Sequence, residues 1–176
     1  LSSQYRNSVL LRLCNGVDDV PMEQLQHCFG ENTIFNGTYV VIRLYTGEHG
    51  GTAALDDMRR GYWTAVEELK KRFQSYCVTS PRFLMIVGVD YDAMDAFDAQ
   101  LEEICRRIFG AQERHDTVLR LARSTPHFGM DELKAACDEV NRIVLNIQPY
   151  VQEGRYLMRY EEHSDLSGAA TLSTFY

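Results

Sequence analysis

The stretch TYVVIRLY at positions 38–45 is the part of the sequence that most directly indicates the fold. It consists almost throughout of β-branched and aromatic residues, and Gly37 and Gly47 bound it. Residues of this kind pack well on a pleated surface, and a short continuous apolar run is typical of a strand buried on both faces. We therefore expect 38–45 to be the central strand of a sheet.

The chain after this strand alternates between helical and extended patterns. Apolar residues three or four apart predict helices over 55–73, 94–108 and 130–147. Extended apolar runs predict strands over 76–79, 82–89, 117–124 and 155–160. The gap between 79 and 82 is too short for a crossover helix, so those two strands are expected to form an antiparallel hairpin.

This order of elements predicts the fold class. One strand, a helix, a hairpin, a helix, a strand, a helix and a last strand give an α/β (α+β) fold, with a ferredoxin-like, mostly antiparallel sheet and amphipathic helices packed on it. Arg120 and Arg123 interrupt the strand over 117–124, which we expect nearer the edge of the sheet. Asp92 is expected to cap the helix over 94–108, and Gly110 to end it.

Two shorter helices are predicted before the central strand. Val9, Leu10 and Leu13 form an apolar stripe in the first, and Gly16 is a plausible stop. Pro21 suits the start of the second, and Gly30 its end. The predicted organisation is a helical lead-in over 1–36, a main domain over 37–163, and a small, polar linker over 164–176. Because the sequence does not begin with Met, we expect it to be part of a longer protein.

Composition restricts the partners and the compartment. The net charge is −7 and the pI is near 5.2, which disfavours direct contact with nucleic acid. No apolar run is long enough to span a bilayer, and no secretory signal is visible. The five cysteines are odd in number and widely spaced, which is typical of buried free thiols in a reducing cytoplasm; they are Cys14, Cys28, Cys77, Cys105 and Cys137.

No motif for catalysis, a cofactor or a metal is convincing. The glycine-rich stretch 47–51 matches neither a Walker loop nor a dinucleotide fingerprint, and Glu48 and His49 alone are weak metal ligands. The acid pairs at 56–57, 102–103 and 161–162 stand at helical or strand-end positions where solvated charge is expected. We predict no catalytic residues and no cofactor, and expect that the chain is not an enzyme.

Several segments together resemble a known family. They are LLRLCNG at 10–16, QLQHCFG at 24–30, the strand at 38–44, the block TVLRLARS at 117–124 followed by GMDELKAACDEV at 129–140, and GRYLMRYE at 154–161. In this order they resemble the degenerate GGDEF-like domain in the middle of bacterial transcription regulators of the CdaR/PucR type and of some AraC-type regulators. The resemblance covers nearly the whole chain.

The chain departs from the catalytic members of that family at two places. A diguanylate cyclase needs a Gly-Gly-(Asp/Glu)-Glu-Phe hairpin and carboxylates at the end of its first strand, where they hold two metal ions. Here the hairpin reads CVTSPR at 77–82, and the first strand ends in Arg43-Leu44-Tyr45. The resemblance therefore implies a non-catalytic domain, and the helix-turn-helix DNA-binding part of such regulators is not within these residues.

The resulting prediction is a cytoplasmic regulatory or sensor domain of a bacterial transcription regulator. It would bind a small-molecule effector or self-associate weakly as a homodimer, and reach DNA only through a helix-turn-helix module beyond Tyr176. The alternatives are a remnant nucleotide-binding or cyclase-type enzyme and a plain interaction module. Arginine and tyrosine together can hold an anionic or aromatic ligand, and the candidate effector zone comprises Arg43, Tyr45, His49, Arg59, Tyr62 and Arg82.

Overall fold

The computed structural model describes residues 3–17, 20–46, 52–78, 83–112, 119–147 and 155–163. These residues contain five α-helices and a sheet of six strands. The helices are Ser3–Cys14 (α1), Met22–Phe29 (α2), Thr52–Lys70 (α3), Met94–Gln112 (α4) and Leu133–Ile147 (α5). The strands are Thr38–Thr46 (β1), Ser75–Val78 (β2), Leu84–Gly88 (β3), Leu119–Arg123 (β4), His127–Phe128 (β5) and Leu157–Arg159 (β6).

The strands are arranged in the order β2-β3-β1-β4-β6, and β5 pairs with the start of β1. β1 is antiparallel to β3, β4 and β5, and β2 and β3 form the predicted antiparallel hairpin. β6 pairs in parallel with β4. Because α3 connects β1 to β2 and α4 connects β3 to β4, the first four of these strands have the ferredoxin-like connectivity. The predicted α/β fold class is confirmed.

β1 lies between two hydrophobic cores, one on each face of the sheet. Its seven inner residues are all buried, as the continuous apolar run predicted. Side chains alternate along a strand, so Tyr39, Val41 and Tyr45 enter one core and Val40, Ile42 and Leu44 enter the other. The first core is closed by α1, α2 and α5, and we call this side of the sheet the α5 face. The second is closed by α3 and α4, and we call it the α4 face.

The two N-terminal helices are built into the core of the α5 face. Val9 and Leu10 of α1 are buried with Cys137 and Ile143 of α5. α2 ends before Gly30, which has a φ of +66° and its backbone N–H bonded to the Gln26 carbonyl; this left-handed conformation suits glycine at a helix end. The lead-in predicted over 1–36 therefore shares a core with the sheet.

The expectation that the strand over 117–124 lies near the sheet edge is wrong. β4 lies between β1 and β6, because β6 adds in parallel on its outer side. Arg120 and Arg123 are each 2 % exposed rather than solvated. The guanidinium of Arg123 is held by Asp98 of α4, and that of Arg120 lies 4.7 Å from the centre of the Tyr156 ring. The charged residues in this alternating pattern are therefore buried and paired with other groups of the protein.

Two predictions about helix ends are also wrong. Gly110 lies inside α4, which continues to Gln112. Asp92 lies inside a 3₁₀ turn, Tyr91–Ala93, that begins after Asp90 and leads into α4, so Asp92 does not cap the helix. The short strand β5 was not predicted, because Pro126 and Gly129 on either side of it indicated only a break in the chain. The predicted linker over 164–176 and the glycine-rich stretch 47–51 lie outside the described residues.

Candidate functional site

The structure does not bring the predicted effector zone together. Its six predicted members are Arg43, Tyr45, His49, Arg59, Tyr62 and Arg82, and two of them, at positions 49 and 82, lie outside the described residues. Tyr45 is buried in the core of the α5 face, whereas Tyr62 is buried in the core of the α4 face. Arg59 is exposed on α3 and lies 3.8 Å from Asp56, an exposed helix pair of the kind that contributes little.

The buried members of the zone join elements of the fold. The Nη1 atom of Arg43 donates to Oδ1 of Asn141 at 2.6 Å, which ties β1 to α5. The hydroxyl of Tyr62 donates to the Leu84 carbonyl at 2.6 Å, which ties α3 to β3. Burial raises the pKa of both Tyr45 and Tyr62, so these phenols are neutral. Arg43, Tyr45 and Tyr62 therefore contribute to the cores rather than to an open site.

A groove of about 670 Å³ lies between the start of α4 and the ends of β4 and β6. Its floor is the pair formed by Arg123 and Asp98. The Nε and Nη2 atoms of Arg123 approach the two carboxylate oxygens of Asp98 at 2.7 and 2.8 Å. Nη2 donates a hydrogen bond to Oδ2, whereas Nε and Oδ1 are close without hydrogen-bond geometry. The pair therefore combines one charge-assisted hydrogen bond with a close ion contact. We call this concave surface the Arg123 groove.

Further ion pairs surround the Arg123 groove. Nη1 of Arg123 contacts Oε1 of Glu161 at 3.0 Å, Arg159 contacts Asp98 at 3.4 Å, and Arg159 and Arg155 contact Glu162. Five carboxylates line the groove against two guanidinium groups, so its local charge is negative; they are Asp92, Asp95, Asp98, Glu161 and Glu162, against Arg123 and Arg159. The exposed ring of Tyr91, 72 % accessible, stands at its rim.

A second polar cluster surrounds His127 of β5, which the sequence analysis did not select. Nδ1 of His127 lies 2.9 Å from Oε1 of Glu132, and Nε2 lies 3.2 Å from Oε1 of Glu139. Thr125 fixes Glu139 by donating to it from the backbone N–H at 2.8 Å and from the hydroxyl at 2.8 Å. The imidazole is therefore placed between two carboxylates, one of which is anchored. We call these four residues the His127 cluster.

The His127 cluster changes the pKa of the imidazole. Burial of the ring lowers the pKa, but the hydrogen bond and the charge of Glu139, followed by those of Glu132, outweigh it. The net effect raises the pKa of His127 above its usual 6.5. Both ring nitrogens can donate to carboxylates at the same time only when the imidazole is doubly protonated. The geometry therefore agrees with the raised pKa of His127.

The acid pairs are only partly solvated, contrary to the sequence prediction. Asp57 is buried on α3, and the carboxylate of Glu102 accepts the backbone N–H groups of Tyr156 and Leu157, both at 3.1 Å. Glu161 contacts the buried Arg123. Glu103 remains exposed beside Arg106. Glu102 and Glu161 therefore hold other parts of the fold, and Asp57 is buried.

One sequence signal could have revealed the buried polar residues. Asp98 falls within the apolar stripe of α4, four residues after Met94 and three before Leu101. Glu139 stands three residues after Ala136 and four before Ile143 on α5. A carboxylate on the core-facing side of a helix is costly to bury without a partner. Such a position therefore indicates a cationic or donor group on the facing element.

Within the described residues, no group of three or more histidine, cysteine, aspartate or glutamate side chains is arranged to hold a metal ion. The five cysteines, all of them described, are free, as the sequence predicted, and Cys77 is partly exposed while the other four are buried. In the described part of the chain, no helix has the length and apolar character needed to cross a membrane.

Comparison with protein-family models, with curated proteins and with solved structures finds no match for the chain. The resemblance to GGDEF-like regulatory domains therefore stays a prediction based on the quoted segments.

Proposed function

We propose that the chain is a non-catalytic regulatory domain of a bacterial transcription regulator. The observation that supports it best is the type of side chain found at the end of β1. Arg43 and Tyr45 occupy the positions at which a metal-dependent cyclase of the resembling family needs carboxylates, and both are buried beneath α5. A guanidinium bonded to Asn141 repels metal cations instead of binding them.

A direct assay separates this proposal from the alternative of a remnant cyclase. The 176-residue chain is incubated with GTP and Mg²⁺ or Mn²⁺, and cyclic dinucleotide is quantified. We expect no turnover above a blank without protein. Robust turnover that disappears in the Glu48→Gln variant would contradict the proposal, since Glu48 is the first carboxylate after β1 in the sequence.

The effector surface that fits this function is the Arg123 groove rather than the zone proposed from sequence. The groove is concave, it combines an exposed aromatic ring with charged groups, and its carboxylates outnumber its guanidinium groups. A cation is attracted to such a surface, and Tyr91 offers a ring face for a cation–π contact. The effector proposed is therefore a small molecule with a positive charge.

The effector proposal is tested by titrating the chain with cationic amines of increasing size while recording amide chemical shifts. We expect shifts to concentrate at Tyr91 and Asp95 and to weaken in Tyr91→Ala, a variant of an exposed side chain. The Trp63→Ala variant on α3 is the matched control, because its aromatic ring lies outside the groove. Equal shifts in both variants would contradict this assignment of the groove.

Contact with DNA is proposed to require a helix-turn-helix module beyond Tyr176. The chain carries a net charge of −7, which supplies no long-range attraction to phosphates. In a mobility-shift titration at low salt, we expect the 176 residues alone to leave a DNA duplex unshifted. Tight binding to any duplex would contradict this part of the proposal.

Self-association is a second candidate function, which a specific observation favours. Leu55 and Trp63 lie two turns apart on α3, 41 % and 49 % exposed, and the exposed Arg59 lies between them. Aromatic and arginine side chains are enriched where proteins meet. Sedimentation velocity is expected to show weak dimerisation that Trp63→Ser abolishes, whereas a monomer at all concentrations would remove this candidate.

A further inference from the structure

The His127 cluster lies where three elements meet. His127 pairs with Tyr39 of β1, Glu132 closes the 3₁₀ turn Met130–Glu132, and Glu139 belongs to α5. The turn leads directly into α5. Whatever changes the contact between His127 and Glu132 therefore acts on the connection between the sheet and α5.

The two carboxylates of the cluster are held differently. Glu139 is largely buried and is fixed by the N–H and the hydroxyl of Thr125, whereas Glu132 is about half exposed and contacts Nδ1 of His127. A neutral imidazole has one N–H donor and one lone pair. When the ring loses a proton, the anchored Glu139 keeps the donor on Nε2, and the lone pair of Nδ1 then faces the Glu132 carboxylate. The Glu132 side chain can move into solvent at a low cost in free energy, because about half of its surface is already exposed.

The other charged and titratable groups around the cluster do not replace this contact. From β1, the Tyr39 hydroxyl donates to the Gly129 carbonyl at 2.7 Å, and burial raises its pKa, so it stays neutral. From α5, burial raises the pKa of Cys137 well above its usual value, and Lys134 is paired with Asp138 at 2.8 Å. In the turn itself, Asp131 is an exposed acid and adds only negative charge.

We propose that His127, Glu132, Glu139 and Thr125 form a proton-binding site, which holds the turn Met130–Glu132 against β5 when the imidazole is doubly protonated and releases it when the imidazole is neutral. The signal it takes is the proton itself. The proton-binding site itself does not depend on the proposed regulatory function. Only its role does, because the proton would be a second signal to which such a regulatory domain responds. The site can be tested without reference to DNA or to any effector.

The first measurement is an NMR titration of the imidazole in the folded 176-residue chain. His127 is expected to titrate above 6.5, and its neutral form is expected to carry the proton on Nε2. Glu139→Gln should lower the midpoint more than Glu132→Gln, because Glu139 raises it more. The exposed His27 of α2 lies outside the cluster and serves as the internal reference signal in all variants. A His127 midpoint at or below 6.5, or a neutral form protonated on Nδ1, would overturn the proposal.

The second measurement follows the opening of the turn Met130–Glu132. Hydrogen exchange at the amides of 130–134, corrected for the intrinsic effect of pH, is expected to become faster between roughly pH 5.5 and 8.5. The increase should not exceed the factor set by the measured rise in the His127 pKa, since a tenfold change accompanies each unit by which a pKa is raised. Glu132→Gln should remove this dependence, because a carboxamide can accept from the protonated ring and donate to the neutral one. Glu132 is half exposed, so this variant keeps the fold. Exchange that is independent of pH in the unmodified chain would overturn the proposal and leave the regulatory function standing.

Discussion

At the scale of single residues, this protein places several charged side chains inside its cores and gives each a partner from another element. Arg123 is 2 % exposed and holds Asp98 of α4 and Glu161 after β6. Arg43 holds Asn141 of α5. Burying an ion is costly unless its partner is well placed, so these contacts restrict how the helices can be seated on the sheet.

The buried pair of Arg123 and Asp98 predicts a large and specific loss of stability. Asp98→Asn is expected to lower the free energy of unfolding by about 3 kcal/mol, because it leaves a buried guanidinium without its main counter-charge. Glu103→Gln, which removes an exposed pair with Arg106, should change it by less than about 1 kcal/mol. Urea unfolding of both variants gives the comparison. Equal effects would show that the Arg123 pair is not a structural element of the fold.

The sequence indicates little of this residue-scale chemistry. The arginines of 117–124 indicated a strand nearer the edge of the sheet, whereas the partners of Arg123 lie on α4 and after β6, far away in the chain. The partners of His127 likewise come from a turn and a helix that follow it in the chain. Sequence spacing does not report contacts made across the sheet. The positions of Asp98 and Glu139 within apolar helical stripes were the usable signs.

At the scale of elements, the helices are matched closely to the sheet. Gly61 of α3 stands where an added Cβ atom would lie 2.9 Å from Cδ1 of Leu119 and 3.4 Å from the ring of Phe109. Gly110 of α4 has only the Tyr156 hydroxyl at 3.5 Å, which is an ordinary contact. One glycine therefore permits a close approach between α3, α4 and β4, and the other does not have this role.

The two helical glycines predict opposite effects of the same substitution. Gly61→Ala should destabilise the chain by about 1 kcal/mol, because overpacking in a buried site exceeds the gain in helix propensity. Gly110→Ala should stabilise it by up to about 1 kcal/mol, since alanine favours the helix and fits the space. Thermal or urea unfolding of the two variants decides the matter. Stabilisation by Gly61→Ala would show that α3 has room to move away from β4.

The junction between β5 and α5 predicts how stability depends on pH. The pKa of His127 is raised in the folded chain, chiefly by Glu139 and then Glu132 against the effect of burial. The stability it contributes is therefore fully present below the unfolded value of about 6.5 and is lost as the pH rises through the folded value. Urea unfolding across this range should give a falling free energy of unfolding, and Glu139→Gln should flatten the fall. A free energy that rises over the same interval would contradict the assignment.

At the scale of the whole molecule, the sequence predicted the architecture well. Hydrophobic periodicity identified the long helices, and the uninterrupted apolar run identified the central strand, because both patterns arise from burial on known faces. The position of β4 and the existence of β5 were missed, since they depend on which strand pairs with which. Among the described residues of the predicted effector zone, Tyr45 and Tyr62 lie on opposite faces of the sheet, which their spacing in the sequence did not indicate.

Under the proposed function, the chain regulates another module by changing its own arrangement, without catalysis. An input shifts such a domain only by favouring one of two arrangements, and the segment that follows β6 must transmit the change. The test uses the longer protein that the proposal requires, with a semi-rigid helical insert of the EAAAK type placed after Glu162 and a flexible glycine–serine insert of equal length as control.

The deciding measurement is regulated DNA binding by that protein, recorded with each insert and without one. The account predicts a helix-turn-helix module after Tyr176, and it predicts that the stiff insert abolishes the response of DNA binding to the input while the fold of the 176 residues is retained. If no DNA-binding module follows, or if the stiff insert leaves regulation unchanged, the claim is contradicted.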